Sequence, residues 1–280
     1  MNLIDTHAHL QFKNYEEDRE KIFRQCHDEN VGMILVGCDY KSSKDGVALA
    51  EEYKDQNVWA SVGQHPTDTA VLFIKNDFDA LIKSSSQVIG IGECGLDYFH
   101  LPALAEDEIR QTGGLPTVEM LKKKQKELFK EHLILAHESR LPLIIHCRDA
   151  HDDMIQLLVD HFARGGKESL LQDREHGVMH CFTSTLAYAQ SYLDLGFLIS
   201  FTGIITFAAQ YDDVVRMTPL DKILIETDSP FLTPIPFRGK KNTPLNVKYV
   251  AQRIAQIKGI SFDEVAAATT KNAKRLFRMP

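Results

Sequence analysis

At 280 residues, 44% of them hydrophobic and 25% charged, the chain has the apolar content to bury a sizeable core. Its formal charge of −7 excludes a polycation, so an anionic substrate would need a local positive site rather than the field of the whole molecule. Cys26, Cys38, Cys94, Cys147 and Cys181 are widely spaced with no CxxC, which excludes a disulfide scaffold or zinc ribbon. With no signal-peptide pattern and no apolar run of membrane-spanning length, a reduced cytoplasmic protein off the membrane is expected.

The first candidate strand, LIDTHAH (3–9), ends in two histidines one residue apart. A charged stretch over 15–30 predicts a helix, followed by the strand MILVGC (33–38). VWASVG (58–63) runs into Gly63-Gln64-His65-Pro66, and VIGIGE (88–93) ends in Glu93. After a long loop over 99–117, residues 118–138 place Leu121, Leu128, Phe129, Leu135 and Ala136 on one helical face. PLIIHC (142–147) carries His146, a helix is expected over 150–164, and GVMHCF (177–182) carries His180. A helix over 184–195 precedes FLISFTG (197–203), and KILIETD (222–228) ends in Asp228. A second long loop spans 229–245, and the last helix starts at Ser261, with Glu264 three residues on as a capping box. Short Val- and Ile-rich strands, most of them apolar on both parities, thus alternate with helices. The pattern predicts a parallel sheet buried on both faces: an α/β TIM (β/α)8 barrel, one domain over 1–280.

In such a barrel the chemistry collects at the C-terminal ends of the strands. His7, His9, His65, His146 and His180 all fall there, with Glu93 and Asp228. The remaining histidines (His27, His100, His132, His137, His151, His161 and His176) lie on helices or loops and read as bland. Side chains two apart share a face of a strand, so His7 and His9 can point into the barrel mouth together. Cys94, Cys147 and Cys181 each follow a candidate ligand and would face the helices instead. A lone HxH is a weak sign, and a lone strand-end carboxylate is often structural. Four histidines and two carboxylates at one end of one barrel are different, because burying them without a cation is costly. Six ligands exceed one tetrahedral site and suit two divalent ions about 3.5–4 Å apart, with Glu93 the natural bridge. Mg²⁺, Mn²⁺ and Zn²⁺ are all compatible with such mixed ligands.

DTHAHL (5–10), VGQHP (62–66), IGECGLD (91–97), LIIHCRDA (143–150), HCF (180–182), ETDSP (226–230), RGKKNTP (238–244) and NAKRLF (272–277) resemble the TatD family of metal-dependent deoxyribonucleases in the amidohydrolase superfamily. The resemblance implies a TIM barrel that hydrolyses DNA, single strands included, commonly from the 3′ end. No membrane and no obligate protein partner is implied. It places one metal on His7, His9, Glu93 and Asp228 and a second on Glu93, His146 and His180. Against this family pattern, 99–117 is an insertion of about ten residues on the active face. Its Glu106, Asp107 and Glu108 would repel a phosphate backbone unless turned away.

No serine or cysteine nucleophile arrangement is visible, so water is the expected nucleophile. Asp228 is the expected general base, Glu93 the bridge, and His65 a contact to the phosphate or leaving oxygen. Arg148 can fork onto a phosphate, the alternative being an ion pair with Asp149 or Asp152. Arg238, Lys240 and Lys241 form a basic cluster beyond the eighth strand, where barrels often bind phosphate; a solvated surface run is the alternative. Glu226 shares the parity of Asp228 and is expected to support a ligand rather than be one. Asp97 is a further candidate for support. Hydrolysis of a carboxylic ester, lactone or phosphotriester is the competing activity, and a metal-stabilised binding protein the non-enzymatic one.

Overall fold

The computed structural model of the protein describes residues 2–112, 116–164 and 175–280. Strands β1 (Leu3–Ala8), β2 (Val31–Val36), β3 (Val58–Val62), β4 (Val88–Asp97), β5 (Leu143–Arg148), β6 (Gly177–Met179), β7 (Phe197–Phe201) and β8 (Ile223–Ile225) form one parallel sheet in sequential order. Beyond β8 the chain returns to β1. Ala8 bridges Ser229, the Asp228 N–H donates to the His7 carbonyl at 2.9 Å, and the His9 N–H donates to the Ser229 carbonyl at 2.9 Å. The sheet is thereby almost closed into a barrel, as the strand count predicts.

Helices connect the strands: α1 (Arg19–Asp28), α2 (Tyr40–Glu52), α3 (Lys75–Ser84), α4 (Leu101–Thr112), α5 (Val118–Ser139), α6 (His151–Arg164), α7 (Leu186–Asp194) and α8 (Asp212–Met217). After β8 come α9 (Val247–Lys258) and α10 (Phe262–Phe277). The Ser261 capping box forms as expected: its hydroxyl accepts the Glu264 N–H at 3.2 Å, and the Glu264 carboxylate accepts the Ser261 N–H at 2.9 Å. Among the described residues no helix is long and apolar enough to cross a membrane.

Two expectations need correction. The first helix begins only at Arg19, after a short 3-10 turn over Lys13–Tyr15. The 99–117 segment is not a plain loop, because α4 occupies most of it. Leu, Ala and Glu favour that helix, and Pro102 is tolerated in its first turn. Glu106 is exposed, while the side chains of Asp107 and Glu108 lie outside the described residues.

Each strand contributes to one buried cluster: Ile4, Ile34, Trp59, Ile89, Ile144, Val178, Leu198 and Leu224. Ala273, Leu276 and Phe277 of α10, with Met279, pack against it. At roughly 1.5–3 kcal/mol per large apolar side chain, this layer gives the barrel a rigid floor. The second, larger cluster packs the outer faces of the strands on the helices and includes Cys94, as predicted. Cys147, expected to face the helices as well, packs against this cluster but also lines the cavity above the strands; Cys181, with the same expectation, lines that cavity instead. With the floor apolar, the polar residues of the strands gather at the opposite end.

Candidate metal centre

β1 delivers His7 and His9 to one place, with their Nε2 atoms 3.2 Å apart. The His9 ring is oriented from behind, its Nδ1 lying 2.8 Å from the Val36 carbonyl. Glu93 arrives on an irregular part of β4, where the register shifts between Ile91 and Cys94. Glycines on either side make this possible. Gly92 and Gly95 have φ of +152° and +142°, and a Cβ at either would collide with the Ile144 or His146 carbonyl of β5. β4 therefore continues past Glu93 to Asp97, four residues further than expected.

The two Glu93 oxygens face different groups. Oε2 lies 3.4 Å from His7 Nε2. Oε1 lies 2.9 Å from His180 Nε2, 3.0 Å from His146 Nδ1 and 3.5 Å from His65 Nε2. Asp228 closes the first group, with Oδ1 3.4 Å from His9 Nε2 and 3.8 Å from His7 Nε2. β6 and β8 end earlier than expected, so His180 and Asp228 stand just beyond their strands. Asp228 has φ +54°, a left-handed conformation that Asp tolerates and that turns its carboxylate onto the cluster.

Buried acids support the rings from behind. Glu226 Oε1 lies 3.2 Å from His180 Nδ1 and also accepts the Cys181 N–H at 2.7 Å. Asp97 Oδ2 lies 3.1 Å from His146 Nε2. Gln125 of α5 fixes Asp97 by bonding both its N–H, at 2.8 Å, and its carbonyl, at 2.9 Å. Glu226 and Asp97 thus stand against the ring nitrogens of His180 and His146 that face away from Glu93 Oε1.

Charges in the cluster are strongly coupled. Burial opposes ionisation of Glu93, but His180, His65 and His146 more than offset it and hold the carboxyl well below its usual range. Burial likewise opposes ionisation of Asp228, and the His9, His7 and His180 rings win. His180 is held well above the ordinary histidine value: burial lowers it, while Glu93 and Glu226 prevail. His146 is raised in the same way by Asp97 and Glu93. Burial pushes His7 and His65 down, so they are neutral at pH 7.

The donors fit a divalent cation. Two imidazole nitrogens and two carboxylate oxygens converge around His7 and His9, where at most one proton could sit between each pair. His7 Nδ1 and Glu226 Oε2 are buried with no hydrogen-bond partner among the described residues. Donor atoms of His7, His9 and Glu93, and separately of Glu93, His146 and His180, are close enough to share an ion; so are those of His7, His180 and Glu226, and of His65, Asp97 and His146.

The cluster lies at the base of a cavity of about 1020 Å³. Arg148 and Arg238 line it; Lys240 and Lys241 do not. Arg148 pairs with neither Asp149 nor Asp152 among the described residues and stacks on Phe99 instead, Cζ 3.7 Å from the ring centre. Arg238 stacks on Phe207 at 4.1 Å. Lys241 is held by Asp18 at 2.8 Å and Lys240 rests against Phe237, so the expected basic cluster is divided.

Two residues escaped the sequence reading. Cys38, two residues beyond β2, places its Sγ 3.6 Å from Glu93 Oε2. His100, read as bland, lines the cavity. Cys38 ends the expected strand MILVGC (33–38), the kind of position the other site residues occupy, and that is the signal that could have found it. His132 is structural as expected: its Nε2 accepts the Gln64 N–H at 2.9 Å.

A parallel barrel that closes on imidazoles and carboxylates of this kind defines a metal-dependent hydrolase. A sequence model of TatD-related DNases matches residues 4–278, and the chain belongs to that family. It is 40% identical over 283 residues to an uncharacterized metal-dependent hydrolase, YabD of Bacillus subtilis (strain 168), covering 99% of each chain. It is 28% identical over 292 residues to the 3′-5′ ssDNA/RNA exonuclease TatD of Erwinia tasmaniensis, covering 99% of this chain and 100% of that one. The crystal structure of YjjV, a TatD homologue from Escherichia coli K12, superposes with a TM-score of 0.82 at 27% identity, covering 100% of this chain and 99% of the other.

Proposed function

We propose that the protein hydrolyses phosphodiester bonds of DNA, as a 3′-5′ exonuclease, at a site holding two divalent ions (Mg²⁺, Mn²⁺ or Zn²⁺). His7, His9, Glu93 and Asp228 would hold one ion, and Glu93, His146 and His180 the other. The observation that carries this reading is the Glu93 carboxylate, with one oxygen toward His7 and the other toward His146 and His180. The name of the Erwinia relative supports nucleic acid as the substrate.

Divalent cations bound there would supply Lewis acidity that activates water and would neutralise charge on phosphate oxygens. The chain does the rest. Asp228, at the rim of the cluster, accepts the proton of the attacking water. Glu93 keeps the two groups of ligands at a fixed spacing. His65, oriented by Thr67 Oγ1 2.6 Å from its Nδ1, stands beside the phosphate. Arg148 and Arg238, each held over a phenylalanine ring and both lining the cavity, bind phosphates. They supply the local positive charge that an acidic chain needs for an anionic substrate.

The test is incubation of the protein with end-labelled single- and double-stranded DNA in Mg²⁺ or Mn²⁺, beside Asp228→Asn. Progressive shortening from the 3′ end is expected, with a loss of about 10²–10⁴-fold in the variant. No cleavage of either DNA would shift the assignment to a carboxylic ester, lactone or phosphotriester. Cleavage unchanged in Asp228→Asn would remove the assigned base.

A further inference from the structure

We infer that His100 is the general acid that protonates the leaving 3′-oxygen, an inference that rests on the phosphodiesterase reading above. His100 lies between β4 and α4, and its carbonyl accepts the Leu104 N–H at 3.1 Å at the start of that helix. Its ring lines the same cavity as Glu93, His146, Arg148 and Asp228. Nδ1 lies 2.7 Å from Asp97 Oδ2, and its backbone N–H donates to Asp97 Oδ1 at 2.9 Å. Asp97 is fully buried, and its Oδ2 also receives His146 Nε2. An imidazole whose one nitrogen donates to a buried carboxylate is fixed in orientation, leaving the other nitrogen open toward the cavity to exchange a proton with a substrate oxygen.

Other histidines of the cavity are less suited. His9, His65, His146 and His180 have both ring nitrogens engaged, and His7 is completely buried. His100 Nε2 has no hydrogen-bond partner among the described residues, and the side chain is 43% exposed.

An in-line displacement calls for a base and an acid on different groups of the site, because attacking and leaving oxygens stand on opposite sides of phosphorus. Asp228 sits on the His7 and His9 side of Glu93. His100 is tied through Asp97 to His146, which faces the other Glu93 oxygen. Phe99, its neighbour, meets the His100 ring edge-on at 5.0 Å and carries Arg148 on its face, so a phosphate held by Arg148 lies beside the acid.

In the step, the water oxygen bonds to phosphorus and its proton passes to Asp228. The bond from phosphorus to the 3′-oxygen breaks, and its electron pair takes the proton from His100 Nε2 to give a 3′-hydroxyl. His100 regains a proton from solvent and Asp228 returns one, so one water is consumed.

The leaving group separates this role from a structural one. A DNA oligonucleotide expels an alkoxide, which needs a proton. The p-nitrophenyl ester of thymidine 5′-monophosphate expels p-nitrophenolate, which does not. His100→Asn keeps an amide donor for Asp97 and removes the acid; His100→Ala removes both. For both variants, kcat on DNA is expected to fall about 10²-fold or more relative to kcat on the aryl ester, with metal content equal to wild type. Equal losses on the two substrates, or no loss on DNA, would overturn the assignment. A wild-type protein active on the aryl ester but inert on DNA would remove the exonuclease reading, and this step with it.

Discussion

Replacing Glu226 separates support of a metal ligand from ligation itself. The side chain is completely buried, and its Oε1 receives both His180 Nδ1 at 3.2 Å and the Cys181 N–H at 2.7 Å. Glu226→Ala strands two buried donors, each costing about 1–3 kcal/mol, so a loss of about 2–6 kcal/mol is expected. That is a large share of the 5–15 kcal/mol by which domains are usually stable. Glu226→Gln keeps an acceptor and roughly the same volume, so its loss should stay near 1 kcal/mol. Its effect on the metal should be larger in proportion, because a neutral amide no longer raises the basicity of His180; about 10–100-fold weaker binding is expected. Urea unfolding of metal-free protein reads the first quantity, and equilibrium dialysis against Mn²⁺ or Zn²⁺ reads the second. If Glu226→Gln bound metal as tightly as wild type while His180→Ala did not, Glu226 would have no part in orienting the ligand. If both variants lost binding equally, Glu226 would itself be a ligand.

His146 and His180 are raised above the ordinary histidine value in the metal-free protein, so their stabilisation is present below that value and lost as pH rises through the raised ones. As pH rises above the ordinary histidine value, metal-free protein should therefore lose Tm more steeply than loaded protein, and metal uptake near neutral pH should release protons measurable by calorimetry in two buffers; parallel Tm curves would refute this. Gly95→Ala forces a side chain into the His146 carbonyl at φ +142° and should cost at least about 2–3 kcal/mol in thermal unfolding, a cost absent if the strand simply relaxes. Arg148→Ala should raise KM for DNA about tenfold or more, whereas Lys241→Ala, which breaks only the exposed pair with Asp18, should leave KM unchanged and cost no more than about 1 kcal/mol; the reverse ranking would place the phosphate path on the far loop.

Much of the fold was legible because parallel strands repeat a simple period. Ile144, Val178 and Leu224 point into the floor, and two or four residues on, at matching parity, come His146, His180 and Asp228. β1 breaks that rule. Ile4 belongs to the floor and His7 to the mouth at opposite parity, reconciled by a register shift between Asp5 and Ala8. No periodicity in LIDTHAH announces such a shift. The glycines of IGECG are legible only once β5 is known to press against them. Partnerships across long stretches of chain were not readable at all. Lys241 meets Asp18, and Arg148 leaves the adjacent acids for Phe99. His100 looks like any loop histidine until Asp97 ties it to His146.

The most direct test is anomalous scattering from crystals soaked in Mn²⁺ or Zn²⁺, collected near the absorption edge. Two peaks are expected at the barrel mouth, one beside each Glu93 oxygen, the first among His7, His9 and Asp228 and the second among His146 and His180. A mouth without density after soaking, or ions bound only away from Glu93, would contradict the assignment of this cluster as a two-metal centre.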